Sequence, residues 1–318
     1  MRLVVQIPCL NEEQTLPLVL ESIPKHIDGI DEIIVLVIDD GSTDKTVEVA
    51  RHYGIKHVVH HVRNQGLGRS FHDGVLKALE LDADIVVNTD GDNQYPQERI
   101  SDLVQPIIRG EADIVIADRQ THKIAHFSPF KKFLQRLGSA VVNKAAGTNL
   151  PDAASGFRAY SRESLLRLNT ITRFSYCTET IIQAGYKGLH IESIEVDTNP
   201  KLRESRLFKS TFEHVRKSAL TIIRAYIMYK PYIIFGWSAA LFFILGLVPF
   251  ARFVWLSVQD GTASGHLQSL LAGSVLMIAA FLCLALNIIA DLIRINRILT
   301  EDNLEQTKRQ RFHRKPNA

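Results

Sequence analysis

Runs of β-branched and aliphatic residues mark the first part of the chain. The segments RLVVQIP, EIIVLVIDD, ADIVVNTD and ADIVIAD each end in polar residues, and each is followed, sooner or later, by a helical pattern. Short strands that alternate with helices are typical of an α/β domain with a mixed, mostly parallel sheet. We predict such a domain over residues 1–208. In open α/β sheets ligands bind beyond the carboxyl ends of the strands. The acids found there are Asp39, Asp40, Asp90 and Asp92.

Two long apolar stretches dominate the C-terminal part of the chain. Neither Tyr232 to Ala251 nor Leu267 to Ala290 contains a charged residue. A helix needs roughly 20 apolar residues to cross the core of a bilayer. We predict a transmembrane hairpin over 231–293, with helices at about 232–256 and 267–290 joined by a short polar loop. The alternative is a pair of buried core helices, but helices of soluble proteins rarely avoid charge for so long.

Basic residues flank both apolar stretches. Segment 209–230 mixes basic and apolar residues, which suits an amphipathic helix on the membrane surface; the alternative is an ordinary surface helix. Residues 294–318 form a basic tail, whereas the connecting loop, 257–266, has no Lys or Arg, and Arg252 lies at the far end of the first predicted helix. The positive-inside rule then places both termini, and with them the α/β domain, in the cytoplasm. The chain opens directly with a strand-like run, so we expect no signal peptide, and a prokaryotic plasma membrane is favoured.

The overall charge and the cysteines exclude several classes of protein. Lys and Arg total 37 and Asp and Glu 34, a net charge of +3, which is too even to predict nucleic acid as a partner. The three cysteines lack metal-ligand spacing, and they fit a reducing compartment rather than a disulfide framework.

The segment NTDGDNQYP, residues 88–96, is the strongest candidate for chemistry. Asp90 and Asp92 are separated by one residue at the end of a buried strand, so both can reach one divalent ion. Hard oxygen ligands suit Mg²⁺ or Mn²⁺, which usually bridge to a substrate phosphate. The alternative is a pair of solvated acids in a turn.

Two weaker motifs follow the first two strands. In VIDDGSTDKT, residues 37–46, Gly41 allows a tight turn, Ser42 or Thr43 caps the next helix, and a strand-end acid can bond a ribose or a base. In IPCLNEEQTL, residues 7–16, Pro8 and Asn11 shape the loop. The histidines at 57, 60 and 61 show no metal spacing and no acid in register, which indicates a solvated strand end.

In this order and spacing the three motifs resemble those of family 2 glycosyltransferases, which have the nucleotide-sugar-binding GT-A fold. The chain looks most like the polyprenyl-phosphate glycosyltransferases of that family. The resemblance extends through most of residues 1–210. Further matches are NQGLGRSFHDGV (64–75), ADR (117–119), DAASGFRAYSRE (152–163), TETIIQAGYK (178–187) and RESRLFK (203–209). The Gln-x-x-Arg-Trp motif of the processive branch is absent, since both tryptophans, Trp237 and Trp255, lie in the first predicted transmembrane helix.

The resemblance assigns roles to particular residues. The nucleotide pocket would be lined by Pro8, Asn11, Glu12, Asp39, Asp40 and Asp90. The metal on the diphosphate would be held by Asp92 and Gln94, with Asp90 beside it. The acceptor phosphate would face Arg119 and Arg136. The loop closing over the diphosphate and the acceptor would supply Arg203, Ser205, Arg206 and Lys209. The family loop often reads Arg-x-x-Gly-x-Ser-Lys, so the departure here leaves its exact basic ligand open.

The resemblance implies an inverting, metal-dependent transfer of a sugar from a UDP- or GDP-linked donor to undecaprenyl or dolichyl phosphate at the cytoplasmic face of the membrane. Asp152 is either a general base or a structural acid that orients Arg158 or caps a turn. One alternative is a membrane-bound transferase that acts on a glycan or protein acceptor. The other is a nucleotide-sugar-binding scaffold without turnover. The sequence identifies neither the sugar nor the oligomeric state, and a homo-oligomer stays open.

Overall fold

A seven-stranded sheet organises the N-terminal part of the protein. The computed structural model describes residues 1–121, 129–170, 176–200, 227, 230–260 and 267–313. The strands lie in the order β3-β2-β1-β4-β6-β5-β7. Among the strands of the described residues, only β6 runs antiparallel to its neighbours. Their bounds are β1 Arg2–Cys9, β2 Glu32–Asp39, β3 His57–His60, β4 Ile85–Asn88, β5 Ile114–Asp118, β6 Arg158–Ser161 and β7 Ile191–Glu195.

Helices connect most of these strands. They are α1 Leu16–Ser22, α2 Thr46–His52, α3 Leu67–Glu80, α4 Ile100–Ile108, α5 Pro129–Ala146, α6 Arg162–Arg167 and α7 Tyr176–Tyr186. The sheet is buried because its central strands are almost wholly apolar: β1, β4 and β5 supply Leu3, Val5, Ile7, Val87 and Val115 to one core cluster. The predicted mixed, mostly parallel α/β sheet is confirmed.

The four strands read from aliphatic runs are β1, β2, β4 and β5. The strand suspected at the histidines is β3. The other two strands carry weaker signals. The short β6 contains a buried charged residue, Arg158, and β7, at the edge of the sheet, reads Ile-Glu-Ser-Ile-Glu without a buried residue.

The chain divides into two compact units. The first comprises Met1–Ile222 together with Glu301–Ala318, and the second comprises Ile223–Thr300. The first unit contains the domain that is predicted to be catalytic. This catalytic unit is assembled from two separated parts of the sequence.

The second unit contains two long apolar helices. A short π-helical turn, Tyr232–Gly236, leads into α8, Trp237–Asp260, and α9 runs over Leu267–Arg311. Both are long and apolar enough to span a membrane, and only 6% of the most apolar window of each is buried. If the two helices formed a buried core, most of each window would be buried. The helices approach closely at glycines, because a Cβ on Gly273 would lie 3.2 Å from the carbonyl oxygen of Gly246.

The basic segment at 294–318 is helical as far as Arg311. Its end packs on the catalytic unit. The buried ammonium of Lys308 donates to the carbonyl oxygens of Leu165 at 3.3 Å and Leu168 at 2.6 Å. The Arg162 guanidinium donates to the carbonyl oxygen of Phe312 at 2.6 Å, and the Phe312 side chain is buried. These contacts make the C-terminal residues part of the catalytic unit's packing.

Candidate active site

The predicted site residues gather at one edge of the sheet. Strand β1 lies between β2 and β4, with Cys9 beside Asp39 and Gln6 beside Asn88 in parallel register. The three loops that follow these strands therefore emerge side by side. They carry the sequence motifs at 7–16, 37–46 and 88–96.

The loops after β1 and β2 are joined by reciprocal hydrogen bonds. The Asn11 amide donates to Ser42 Oγ at 2.8 Å, and the Thr43 amide donates to Asn11 Oδ1 at 2.7 Å. The Glu12 amide donates to Thr46 Oγ1 at 2.7 Å. The prediction that Ser42 or Thr43 caps the next helix is wrong, because α2 begins at Thr46 without a side-chain cap. Both hydroxyl residues instead fix Asn11, which has a positive φ of 58°.

The turn after β2 requires glycine. Gly41 has a φ of +80°, and a Cβ there would lie 2.7 Å from the backbone carbon of Arg63. The preceding Asp39 is fully buried, and its carboxylate contacts His60 Nδ1 at 2.6 Å and the Ser42 amide at 3.2 Å. The tight turn predicted at Gly41 is thus present. Because glycine has no Cβ, the backbone at Arg63 can pack directly against this turn.

Asp40 organises the loop before α3. Its Oδ1 accepts from the Gln65 amide at 2.8 Å and its Oδ2 from the Gly66 amide at 2.9 Å. His61 Nδ1 lies 2.8 Å from Oδ1 of the same carboxylate. The prediction of a solvated strand end fits the side chain of His60, which is 56% exposed, but it is wrong for His61, which is buried. The prediction that no acid lies in register is wrong for both, since Asp39 pairs with His60 and Asp40 contacts His61.

The loop after β4 carries the two acids at positions 90 and 92. Asp92 accepts from the Gln94 backbone amide at 3.2 Å and also from the Gln94 side-chain amide. The Asn199 amide, beyond β7, donates to the Gln94 carbonyl oxygen at 2.9 Å and holds the loop from the other side. Between the acids only glycine fits, since a Cβ on Gly91 would lie 2.9 Å from Cys9 Sγ.

The Cys9 thiol under this loop is inert. Burial raises its pKa well above the ordinary value, and the neighbouring charges of Glu12 and Asp39 raise it further. The thiolate, which is the reactive form of cysteine, is therefore suppressed. Cys9 serves as packing below the acids.

A buried polar network supports Asp90 from behind. Gly156 comes close enough that a Cβ would lie 3.3 Å from Asp90 Oδ2 and 3.3 Å from the Tyr176 hydroxyl. Asn88 donates to that hydroxyl at 2.6 Å and to the Gly156 carbonyl oxygen at 3.1 Å. Gln6 in turn donates to Asn88 Oδ1 at 2.8 Å. The segment before β6 is thus held against the loop that carries Asp90 and Asp92, which we call the acidic loop.

Arg119 and Asp152 form a bidentate ion pair beside the acidic loop. Arg119 Nε lies 2.6 Å from Asp152 Oδ2, and Nη2 lies 3.0 Å from Oδ1. The side chain of Asp152 is 3% exposed and that of Arg119 is 18% exposed. Burial by itself would raise the pKa of Asp152, but the Arg119 guanidinium outweighs it and holds this pKa below the ordinary value. Asp152 is therefore an ionised anchor for Arg119.

The sequence predicted that a structural Asp152 would orient Arg158 or cap a turn, and one of these two roles is observed. Asp152 accepts from the Ala154 amide at 3.2 Å, as a turn cap does, but it orients Arg119 and not Arg158. Arg158 is fully buried, and its donors reach other oxygens. The acceptors of Arg158 are the carbonyl oxygens of Ala153, Ser155 and Cys177 and the hydroxyl of Thr180.

Tyr95 joins the acidic loop to the segment before β6. Its buried hydroxyl accepts from the Gly156 amide at 3.1 Å. Burial raises the pKa of Tyr95 to about 12, so the hydroxyl stays neutral. The ring stacks on Phe157 with 5.1 Å between centroids. This residue, which the sequence did not single out, ties the loop after β4 to Gly156 and Phe157.

The acidic pair fits an ion that a substrate completes. Among the residues that the structure describes, no three His, Cys, Asp or Glu side chains are grouped to hold a metal by themselves. Mg²⁺ commonly takes one or two carboxylates and completes its shell with substrate phosphates and water. Asp90 and Asp92, with the amide oxygen of Gln94, match that donor set in kind.

The remaining predicted residues fall into two groups. Arg136 is exposed on α5. The predicted closing loop lies outside the described residues, and so does most of the predicted amphipathic helix at 209–230. The loop residues concerned are Arg203, Ser205, Arg206 and Lys209.

Comparison with known proteins identifies the class of the chain. The family model described as glycosyl transferase family 2 matches residues 4–168. The chain belongs to this family, and it is a glycosyltransferase, which confirms the resemblance drawn from the three motifs.

Two curated relatives act on polyprenyl phosphates, as their names state. One is the UDP-N-acetylglucosamine–dolichyl-phosphate N-acetylglucosaminyltransferase of Methanococcus voltae, 29% identical over 213 residues, which cover 60% of this chain and 83% of the relative. The other is the undecaprenyl-phosphate mannosyltransferase of Micrococcus luteus, 32% identical over 171 residues, which cover 52% and 68%.

A similar solved structure is glucosyl-3-phosphoglycerate synthase from Mycobacterium tuberculosis, in complex with Mn²⁺, UDP-glucose and phosphoglyceric acid. It is 25% identical with a TM-score of 0.54, and the match covers 71% of this chain and 78% of that one. The predicted GT-A-type fold is confirmed.

Proposed function

We propose that this protein transfers a sugar from a UDP- or GDP-linked nucleotide-sugar to a polyprenyl phosphate, undecaprenyl or dolichyl, with inversion of the anomeric carbon. The observation that carries the proposal is that Tyr95, in the loop of Asp90 and Asp92, lies close enough to Asp90 and to the Arg119–Asp152 pair for all three charges to act on its hydroxyl. Such a site offers carboxylates for a donor complex and a fixed cation for an anionic acceptor. The names of the two relatives support the choice of a lipid phosphate.

The donor nucleotide occupies the edge formed by β1 and β2. The residues that line this pocket are Pro8, Asn11, Glu12, Asp39 and Asp40. Within the described residues, Asp40 Oδ2 accepts one hydrogen bond, from the Gly66 amide, and a carboxylate oxygen can accept more than one. That oxygen can take a donor from the base or the ribose while its carboxylate still holds the loop.

Asp90, Asp92 and Gln94 would hold a Mg²⁺ or Mn²⁺ ion. When bound, such an ion neutralises the charge that develops on the leaving diphosphate. The protein's own contribution is to fix these residues. Gly91 packs the loop onto Cys9, and Gly156 limits the movement of Asp90.

Arg119 binds the phosphate of the acceptor, and Asp152 positions Arg119. The second pKa of a phosphate monoester is about 6, so the acceptor is already an anion near neutral pH and needs no strong base. Its obstacle is repulsion by the donor diphosphate, which arginine offsets with directed, permanent charge. Arg136 and the closing-loop residues Arg203, Ser205, Arg206 and Lys209 complete the acceptor side.

The two apolar helices hold the enzyme in the bilayer where its acceptor lies. Their flanks carry the basic residues, so the catalytic unit faces the cytoplasm, and the membrane is a prokaryotic plasma membrane. This arrangement brings the lipid phosphate and the soluble donor to one surface.

A donor and acceptor screen tests the proposal. Purified full-length protein in nanodiscs is given radiolabelled UDP-glucose, UDP-N-acetylglucosamine or GDP-mannose with undecaprenyl or dolichyl phosphate, in Mn²⁺ or in a chelator. We expect a labelled glycolipid only when metal is present. Asp92→Asn abolishes transfer, whereas Asp102→Asn, at a half-exposed acid paired with Arg99 on α4, does not. Label in a glycan or protein instead would refute the lipid acceptor, and undiminished transfer in chelator would refute the metal.

A further inference from the structure

One buried histidine near the nucleotide pocket has no role in the proposed reaction. His61 follows β3 and its side chain is 5% exposed. Its Nδ1 lies 2.8 Å from Asp40 Oδ1, and its Nε2 lies 3.1 Å from Asp73 Oδ2. Both ring nitrogens are therefore engaged by carboxylates, so the ring can neither bind a metal nor exchange a proton with a substrate while these bonds persist.

The two carboxylates belong to different parts of the fold. Asp40 follows β2 and holds the amides of Gln65 and Gly66. Asp73 lies on α3 and also accepts from Arg69 Nε at 2.9 Å. His61 thus connects the end of β2 to the first turns of α3.

The loop held by Asp40 is the entry to α3. Gly66 has a φ of 93°, and its carbonyl oxygen accepts from the amides of Arg69 and Ser70 at 3.0 and 3.1 Å. If the Asp40 carboxylate rotates, the amides of Gln65 and Gly66 lose their acceptor and this turn moves with it. The direction of Asp40 and the course of the loop therefore depend on the same contact with His61.

We propose that His61 is a positioning residue for the nucleotide pocket, because its Nδ1 fixes the Asp40 carboxylate and, through it, the Gln65–Gly66 backbone. This inference rests on the proposed function, in which Asp40 contacts the donor nucleotide. His61 touches no reacting atom, so its loss weakens donor binding and leaves the chemical step unchanged.

Two substitutions separate the contacts of the ring. An asparagine amide nitrogen falls near the place of a histidine Nδ1, so His61→Asn retains a donor to Asp40 and loses the contact with Asp73. A glutamine amide nitrogen falls near the place of Nε2, so His61→Gln retains the contact with Asp73 and loses the one with Asp40. His52→Asn, on an exposed histidine of α2, is the matched control.

Binding of UDP and of GDP, each with Mn²⁺, is measured by calorimetry on the full chain, and donor KM, kcat and thermal midpoint are measured on the same samples. We expect His61→Gln to raise the nucleotide Kd and the donor KM at least tenfold, with kcat within twofold of the wild type. His61→Asn and His52→Asn stay within threefold. Equal affinities for the Asn and Gln variants, or losses that follow only their thermal midpoints, would overturn the positioning role. If the wild type binds neither nucleotide, the proposed donor class fails as well. That outcome is distinguishable from the one in which the wild type binds a nucleotide and the Asn and Gln variants bind it equally well.

Discussion

The ion pair between Arg119 and Asp152 provides the sharpest test of how this site works. The Asp152→Asn substitution keeps the size of the side chain and removes its charge. In the wild type, Arg119 Nε and Nη2 lie 2.6 and 3.0 Å from the two carboxylate oxygens. The asparagine keeps one oxygen that can accept from the guanidinium, and its amide group faces the other donor, which loses its acceptor. The variant thus leaves a largely buried guanidinium without its counter-ion.

The expected cost follows from this geometry. Removing one partner of a buried ion pair costs about 3–5 kcal/mol. Arg119 is 18% exposed, so water can solvate part of its charge and the lower end applies, about 3 kcal/mol. For a chain of this size that corresponds to a fall in thermal midpoint of roughly 6 °C.

The pH dependence of stability has a definite sign. The pKa of Asp152 in the folded protein is below its ordinary value of 3.8, so its stabilising effect is complete above about pH 4 and is lost as the pH falls through the lowered pKa. The difference in stability between the wild type and Asp152→Asn is therefore constant above about pH 4 and shrinks below it.

Thermal melts from pH 3 to 7 and pH–rate profiles test this account. A positioning role predicts a raised acceptor KM and an acidic limb that persists in Asp152→Asn. Asp102→Asn serves as the control and shifts stability by less than about 0.5 kcal/mol, because its ion pair with Arg99 is solvated. A variant as stable as the wild type, with kcat reduced by orders of magnitude and the acidic limb gone, would identify Asp152 as the base and refute this reasoning.

Three further substitutions or treatments test the packing of the catalytic unit. Gly156→Ala places a methyl group 3.3 Å from Asp90 Oδ2, so we expect it to raise the Mn²⁺ concentration for half-maximal transfer severalfold. Gly138→Ala, whose Cβ meets no atom within 4 Å, is the control and leaves this concentration unchanged. Equal concentrations for the two variants would contradict the close approach of Gly156 to Asp90. Cys9 should resist iodoacetamide in the native protein and react after denaturation, as followed by mass spectrometry, since burial raises the pKa of its thiol; rapid native labelling would contradict this. Phe312→Ala should lower the unfolding free energy by about 3 kcal/mol, seen as a lower thermal midpoint, and an unchanged midpoint would show that the end of α9 does not stabilise the unit.

The sequence predicted those parts of the fold in which local pattern and tertiary environment agree. Strands β1, β2, β4 and β5 are aliphatic because both faces of a central parallel sheet are buried. Strand β6 escaped the pattern because it contains Arg158, whose buried charge is satisfied by backbone oxygens that only the folded loop supplies. Strand β7 lies at the edge of the sheet and mixes Ile with Glu and Ser, none of them buried, so it has no aliphatic run for the sequence to show.

The site was predicted to the extent that it depends on strand ends. Asp40 and Asp90 could be placed together because the carboxyl ends of parallel strands share one edge. The partner of Asp152 could not, because Arg119 reaches it only through the antiparallel pairing of β5 with β6. His61 was missed for the same reason: its acids come from the end of β2 and from α3, at separations that no local spacing encodes.

The packing of Lys308 and Phe312 on the catalytic unit also affects the order in which the protein is completed. A ribosome releases Glu301 and its successors only after the whole of the second unit, Ile223–Thr300, has been made. The surface of α6 around Leu165 therefore stays uncovered until both apolar helices have left the ribosome. Packing of the catalytic unit is in this way completed only after both apolar helices have been made, and a chain that stops before the second unit lacks the residues that cover this surface.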